Sequence, residues 1–217
     1  MSARLTDNEG STQVTWTASA EKRALAPIRV AFIDPPYLGM GHRYSVPGTP
    51  EYHPDAMRWD DPDEHRWLMA RADEEYPDGW AYSLQAPALR ALLALAPEGV
   101  RVMAWVKPWA TWRPGQGPPY AWEPVIVRCG KRACPERRPR DWVAASVGHG
   151  HTEPFFGAKP PEFCRWLLDV FALGEHPDDV LDDLFPGSGA VTRVWDEYRS
   201  MATTRLGVTQ DTLWGGM

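Results

Sequence analysis

The chain has 217 residues, 43% of them hydrophobic and 24% charged, which supports one folded domain with a proper core and excludes a disordered or fibrous protein. The net charge of -6 is opposite in sign to the basic footprint of a nucleic-acid binder. No run approaches the ~20 apolar residues of a membrane span, and the N-terminus lacks a charged-then-apolar leader, so a cytoplasmic protein with no membrane partner is expected. Three cysteines, Cys129, Cys134 and Cys164, are odd in number and irregular in spacing, which reads as reduced thiols rather than a disulfide framework.

Residues 1–26 are polar, without sustained periodicity, and read as a flexible arm ahead of a single domain over 27–217. Ile28 to Ile33 is a short apolar run, a buried strand that stops at Asp34-Pro35-Pro36-Tyr37. Residues 38–62, rich in Gly, Pro, Tyr and His, read as a long loop beside that motif. A polar helix is expected over Asp63 to Glu75 and an amphipathic one over Leu84 to Leu95. Val100 to Val106 and Pro124 to Val127 read as strands flanking the aromatic, Pro/Gly-rich Trp109 to Tyr120. Pro160-Pro161 opens a helix over Glu162 to Leu173, with Gly174 as its terminator. Val180 to Leu184 is a strand, then Phe185-Pro186-Gly187-Ser188-Gly189, then a helix from Ala190 to about Arg199. Strands alternating with helices predict an open, mostly parallel α/β sheet, Rossmann-like, whose ligands sit outside the carboxyl ends of the strands. Both sharp motifs fall at such ends.

In Asp34-Pro35-Pro36-Tyr37 the prolines fix the backbone and remove two N–H donors, leaving a carboxylate and carbonyls as acceptors beside an aromatic ring. That is a receptor for an amino group, with Tyr37 able to stack on a base taken out of its helix; the plain alternative is a strand-ending turn. The glycines of 185–189 let a ligand touch the backbone, as they would also allow a tight strand-to-helix turn, and the lack of a following Gly-Lys-Ser/Thr disfavours a phosphate-cradling loop. Residues 51–79 carry ten acids against three arginines, a solvated face or protein interface. Arg128, Lys131, Arg132, Arg137, Arg138 and Arg140, with Trp142 nearby, form a candidate phosphate track whose plain alternative is a solvated basic loop. Cys129-x4-Cys134 and the loosely placed His149 and His151 lack metal-knuckle spacing, so no metal is expected.

Asp-Pro-Pro-Tyr ahead of Phe-x-Gly-x-Gly resembles the DNA amino methyltransferases of the permuted, beta-class motif order, from about Ile28 to Tyr198. Small actinobacterial and phage DNA methylases are particularly similar. They share Asp78-Gly79-Trp80, Trp105-Val106-Lys107-Pro108, Trp122-Glu123-Pro124, Gly157-Ala158-Lys159-Pro160 and Asp183 to Gly189 in this order. The resemblance implies a Rossmann-like fold binding S-adenosylmethionine. Asp183, Phe185, Gly187, Ser188, Gly189, Lys159 and Pro160 would hold the cofactor, with Asp34 at the shared edge, and Asp34, Pro35 and Tyr37 would serve catalysis. C5-cytosine chemistry is set aside, because it needs a nucleophilic Cys in a Pro-Cys turn and Cys134-Pro135 has the reverse order. Family members place a ribose-holding acid after a strand roughly twenty residues past the glycine loop. Here the acids are Asp196, Glu197 and Asp211, none with a strand pattern before it.

The expected activity is therefore methyl transfer to the exocyclic nitrogen of a DNA base, with adenine N6 favoured by the leading Asp of the motif. The expected target is a base flipped out of a duplex, with loops at 38–80 and 109–150 reading the sequence around it, and a homodimer is compatible with that role. Cytosine N4, an RNA base, or a catalytically silent binding module of the same fold are the alternatives.

Overall fold

The computed structural model describes residues 25–109, 114–115, 117–130, 132, 139–146 and 158–211, of which 202–211 as helical backbone only. Six strands, β1 (Arg29–Ile33), β2 (Trp80–Ser83), β3 (Arg101–Val106), β4 (Trp122–Arg128), β5 (Trp142–Ala144) and β6 (Val180–Asp183), form one open sheet in the order β5-β3-β4-β2-β1-β6. β1 pairs in parallel with β2 and β6, and β3 with β5. β4 alone runs against its neighbours β2 and β3. The fold is thus the expected open, mostly parallel α/β sheet.

The strands alternate between two cores, as the two-residue period requires. Val30, Phe32, Ala81, Met103, Trp105, Val125 and Val127 point to one face, where α4 (Pro161–Val170) and α5 (Ala190–Asp211) cover them through Phe163, Leu167, Val191 and Trp195. Ala31, Ile33, Trp80, Tyr82 and Ile126 point to the other, covered by α2 (Pro62–Glu75) and α3 (Leu89–Leu93) through Leu68, Met69, Ala72 and Leu92. A sheet apolar on both faces explains why its strands are continuous apolar runs.

The sequence reading differs from the structure in four places. Trp80–Ser83 is a strand that it omitted: all four residues are buried, so the run shows neither alternation nor length. Leu84, expected to open a helix, follows directly on that strand, and the helix shrinks to a 3-10 turn (Ala86–Ala88) and the short α3. β5 was likewise omitted, being three residues of edge strand. Residues 38–62 are not all loop, since they hold the short α1 (Gly41–Tyr44) and a 3-10 turn (Ala56–Asp60). The polar helix is as expected. Pro62 sits in the first turn, the Asp61 carboxylate caps the amide of Asp63 at 2.9 Å, and Arg71 pairs with Glu75 at 2.7 Å on the exposed side.

His65 anchors α2 to the sheet. Its Nε2–H donates to the Trp59 carbonyl at 2.6 Å, so Nδ1 accepts from the Tyr82 hydroxyl and the ring is the neutral Nε2–H tautomer. Burial lowers the pKa of this 1%-exposed imidazole from its ordinary 6.5. The unfolded chain therefore binds the proton more readily, and stability is full above pH 6.5 and falls as pH drops below it. Thermal melts across pH 5–8 should show this acid slope, and His65→Gln should flatten it.

Candidate active site

One step past the core, the same alternation produces the site. On the face covered by α4 and α5, the phase running Val30, Phe32 continues to Asp34, Ala81 to Ser83, and Met103, Trp105 to Lys107. Leu181 continues to Asp183, and in the reversed β4, Val127, Val125 continues to Glu123. In sheet order this edge reads Asp183, Asp34, Ser83, Glu123, Lys107. Apolar residues give way to polar ones at one end of five adjacent strands.

Lys159, from the turn that enters α4, drops onto this row. Its Nζ donates to Asp34 Oδ2 at 2.5 Å and to the Tyr37 hydroxyl at 3.4 Å, with only 5% of its side chain exposed. Burial works against its charge, but the Asp34 and Glu123 carboxylates outweigh that and raise its pKa above the ordinary 10.5. The Tyr37 hydroxyl donates to Glu123 Oε2 at 2.9 Å and meets Ser83 Oγ at 3.2 Å. Lys107 bonds the other Glu123 oxygen. Burial, then the Asp34 and Glu123 charges, push the Tyr37 phenol well above its usual range.

Two carboxylate oxygens in this site are buried without a hydrogen-bond partner among the described residues: Asp34 Oδ1 and Asp183 Oδ1. An unmet buried acceptor costs about 1–3 kcal/mol, which a ligand donor would recover. Burial, and then the Asp34 charge nearby, raise the Asp183 pKa, while Thr192 Oγ1 donates to its other oxygen at 3.2 Å. Asp34, Lys159 and Asp183 line a cleft of about 30 Å³ with Phe185, Gly187 and Ser188. That cleft adjoins a cavity of about 730 Å³ that also takes in Pro35, Tyr37, Tyr44, Glu51, Trp105, Tyr120, Trp122 and Glu123.

The glycine loop bends sharply. Gly187 and Gly189 have φ of 46° and 71°, conformations disfavoured for any residue with a Cβ, and the Gly189 amide closes on the Pro186 carbonyl at 2.6 Å. Phe185 is wedged edge-on against Trp59 at 5.1 Å, so the 3-10 turn on the opposite core holds the loop's leading residue. Pro160 is buried and its carbonyl accepts from the Cys164 amide at 3.1 Å, fixing where Lys159 stands ahead of α4. Burial pushes the Cys164 thiol up to about 12, which leaves it an inert packing group.

Asp34, Pro35, Tyr37, Lys159, Asp183, Phe185, Gly187 and Ser188 thus come together, with Gly189 closing the loop and Pro160 supporting it. The sequence reading missed Ser83, Lys107, Glu123 and Tyr44. Lys107 and Glu123 stand in the segments that carry the resemblance without a role of their own, although their two-residue spacing from Trp105 and Val125 carries the signal. Tyr44 sits on the short α1 and lines the cavity; burial, with the Asp34 charge, raises its phenol.

The basic track needs correction. Arg128 ends β4 at the opposite edge of the sheet, where it grips Asp73 with two bonds of 2.6 Å. Arg132 is 5% exposed and donates to Asp179 at 2.6 Å and to the carbonyls of Ala26 and Ala172. Both arginines are occupied in holding the fold together at the amino ends of the parallel strands, away from the pocket, so neither is placed to meet a polyanion there. Arg140 is exposed, over Trp142 at 5.4 Å. Lys131, Arg137, Arg138, Cys134, His149 and His151 lie outside the described residues. Asp179 keeps three backbone N–H donors, from Ile28, Gly174 and His176, so Arg132→Met should cost about 2 kcal/mol in a denaturant titration rather than unfold the protein.

No family model matches the chain, and no curated protein does. Among solved structures, a crystal structure of an M1.HpyAVI–SAM complex superposes over 80% of this chain and 79% of that one, with a TM-score of 0.48 and 14% identity.

Proposed function

We propose that this protein is an S-adenosylmethionine-dependent methyltransferase acting on the exocyclic amino group of a nucleic-acid base. The observation that carries the reading is the pair of orphaned buried acceptors, Asp34 Oδ1 and Asp183 Oδ1, on neighbouring strands at the mouth of one glycine-lined cleft. The edge offers three carboxylates, Asp34, Asp183 and Glu123, against two ammonium groups, Lys107 and Lys159, a balance that suits a cationic ligand carrying N–H donors. The adjoining cavity of about 730 Å³ lies within the ~300–1,000 Å³ usual for small-ligand sites.

When bound, S-adenosylmethionine supplies an electrophilic sulfonium methyl group. Asp183 and the loop from Phe185 to Gly189 would hold it, with Lys159 and Pro160 walling its polar end. Asp34 Oδ1 and the Pro35 carbonyl accept the two N–H bonds of the target amine, which loosens the nitrogen lone pair from the ring and aims it. Tyr37 presents its ring to the base. Lys159 holds Asp34 in one orientation through Oδ2, so that its second oxygen stays free for the amine. No metal and no covalent intermediate enter this scheme.

The base is adenine, methylated at N6, and the polymer is DNA, both carried by the motif resemblance; cytosine N4 and RNA are the competing outcomes. The target is flipped out of a duplex, and segments of 38–80 and 109–150 that line the cavity, among them Met40, Tyr52, Tyr120 and Trp122, would read its surroundings. Arg140, with Lys131, Arg137 and Arg138, remains the phosphate-contacting set of this proposal. No helix among the described residues is long and apolar enough to cross a membrane, and we place the activity in the cytoplasm, where a homodimer is compatible with it. Incubation with labelled S-adenosylmethionine and unmethylated DNA or RNA, followed by nucleoside analysis, reads polymer and base together. Absence of cofactor binding would sink the proposal, and binding without transfer to either polymer would point to a silent module.

A further inference from the structure

The Lys107–Glu123 pair enters the proposed chemistry only through its charge, and no step of that chemistry is assigned to it. It lies across two antiparallel strands: Trp105 of β3 faces Glu123 of β4, and Lys107 sits two residues further along β3, a diagonal that long side chains can span. Both are mostly buried, with 20% and 15% of the side chains exposed, and both line the cavity that holds Asp34 and Tyr37. Lys107 also lies 4.7 Å over the Trp105 ring, so its position is fixed from two sides. A half-buried ion pair adds little to stability beyond what apolar residues of equal size would provide. Its geometry does something else: one Glu123 oxygen is taken by Lys107 and the other by the Tyr37 hydroxyl, at 2.9 Å.

We infer that Glu123, fixed by Lys107, is a positioning residue that tethers the Tyr37 hydroxyl and so sets the plane of the Tyr37 ring against the target base. An aromatic ring on a loop keeps its axial rotation and tilt unless its far end is held. Here the hydroxyl is met by Glu123, Ser83 and Lys159, and only Glu123 is restricted to accepting, which forces the phenol proton toward it. The ring is then locked before the base arrives, and ordering it costs nothing at binding. Lys107 holds the second Glu123 oxygen, which keeps the first aimed at the Tyr37 hydroxyl.

The inference rests on the proposal that Tyr37 faces the target base, and its test separates the two. In the full-length protein labelled at tyrosine ¹³Cζ, with Tyr37→Phe used to assign the signal, Glu123→Gln should move the Tyr37 resonance upfield at neutral pH as an anionic acceptor is lost. Lys107→Gln should move it the other way, since the carboxylate then has one partner fewer. In methyl transfer to unmethylated DNA, Glu123→Gln should lower kcat about tenfold to a hundredfold with the S-adenosylmethionine Kd unchanged. The Tyr37→Phe/Glu123→Gln double variant should lose no more than Tyr37→Phe alone. A Tyr37 resonance unmoved in both variants overturns the inference, and so does a further tenfold loss in the double variant, which would mean that Glu123 touches the base directly. Wild-type protein that transfers no methyl group defeats the proposed function instead, while the resonance still decides the tether.

Discussion

Asp34→Ala should lower methyl transfer about a thousandfold and change S-adenosylmethionine affinity only a few-fold. The reason lies in what each Asp34 oxygen does. Oδ2 is committed to Lys159 at 2.5 Å, and Oδ1 is a buried acceptor with no partner among the described residues, available to the amine of the proposed substrate. Truncation removes that acceptor, while the glycine loop and Asp183 are untouched. Isothermal titration with the cofactor and single-turnover kinetics on unmethylated DNA separate the two quantities. Near-normal turnover would refute the assignment of Asp34 to the target side, and loss of cofactor binding by more than about a hundredfold would move it to the cofactor side.

Lys159→Met should abolish transfer and also destabilise the fold by about 3 kcal/mol, because it takes the cation out of a buried pair and leaves Asp34 uncompensated. Asp34 and Asp183 both bring buried carboxylates to the cleft that Lys159 lines, so the loss is felt by more than one group. The double variant Asp34→Ala/Lys159→Met should recover much of that stability without recovering activity, since removing both partners of a buried pair is close to neutral. Denaturant midpoints of the wild type, both single variants and the double variant close this cycle. A double variant as unstable as the sum of the singles would show that Lys159 stabilises through contacts other than Asp34. Above the ordinary lysine pKa of 10.5 the raised pKa of Lys159 has a further consequence. The pair contributes its full stability below that value and loses it as pH rises through the higher folded-state pKa.

A close set of acceptors, a tethered ring and a neighbouring ammonium form a site that is largely assembled in advance of its ligands. The cost appears as unmet hydrogen bonds at Asp34 and Asp183, and the gain is that little has to move when a ligand donor arrives. Aromatic side chains from Tyr37, Tyr44, Trp105, Tyr120 and Trp122 around the same cavity offer stacking faces in place of a dense positive surface. That arrangement is compatible with the chain's net charge of -6.

By itself the sequence determined the two loops that matter and the strands that carry them. Asp34 to Tyr37 and Phe185 to Gly189 are local devices: prolines and glycines impose their backbone wherever they stand, and an apolar run of five or six residues ahead of them reads as a buried strand. Pro160-Pro161 was legible for the same reason, as a proline-marked helix start, while Lys159 came forward only through the motif resemblance. What only the tertiary structure decided is who meets whom. Trp80–Ser83 is silent as a pattern because both of its faces are buried, yet it is the strand that places Ser83 beside Tyr37. Glu123 reaches Tyr37 across 86 positions only because β4 runs antiparallel between β2 and β3, turning its amino end toward the carboxyl ends of its neighbours. The same reversal carries Arg128 away from the site and into its pair with Asp73, so part of a stretch that reads as a basic track is spent on holding the fold. Charge runs and strand ends are properties of the chain, but strand direction and order are set by long-range burial, and they decide which of those residues share a pocket.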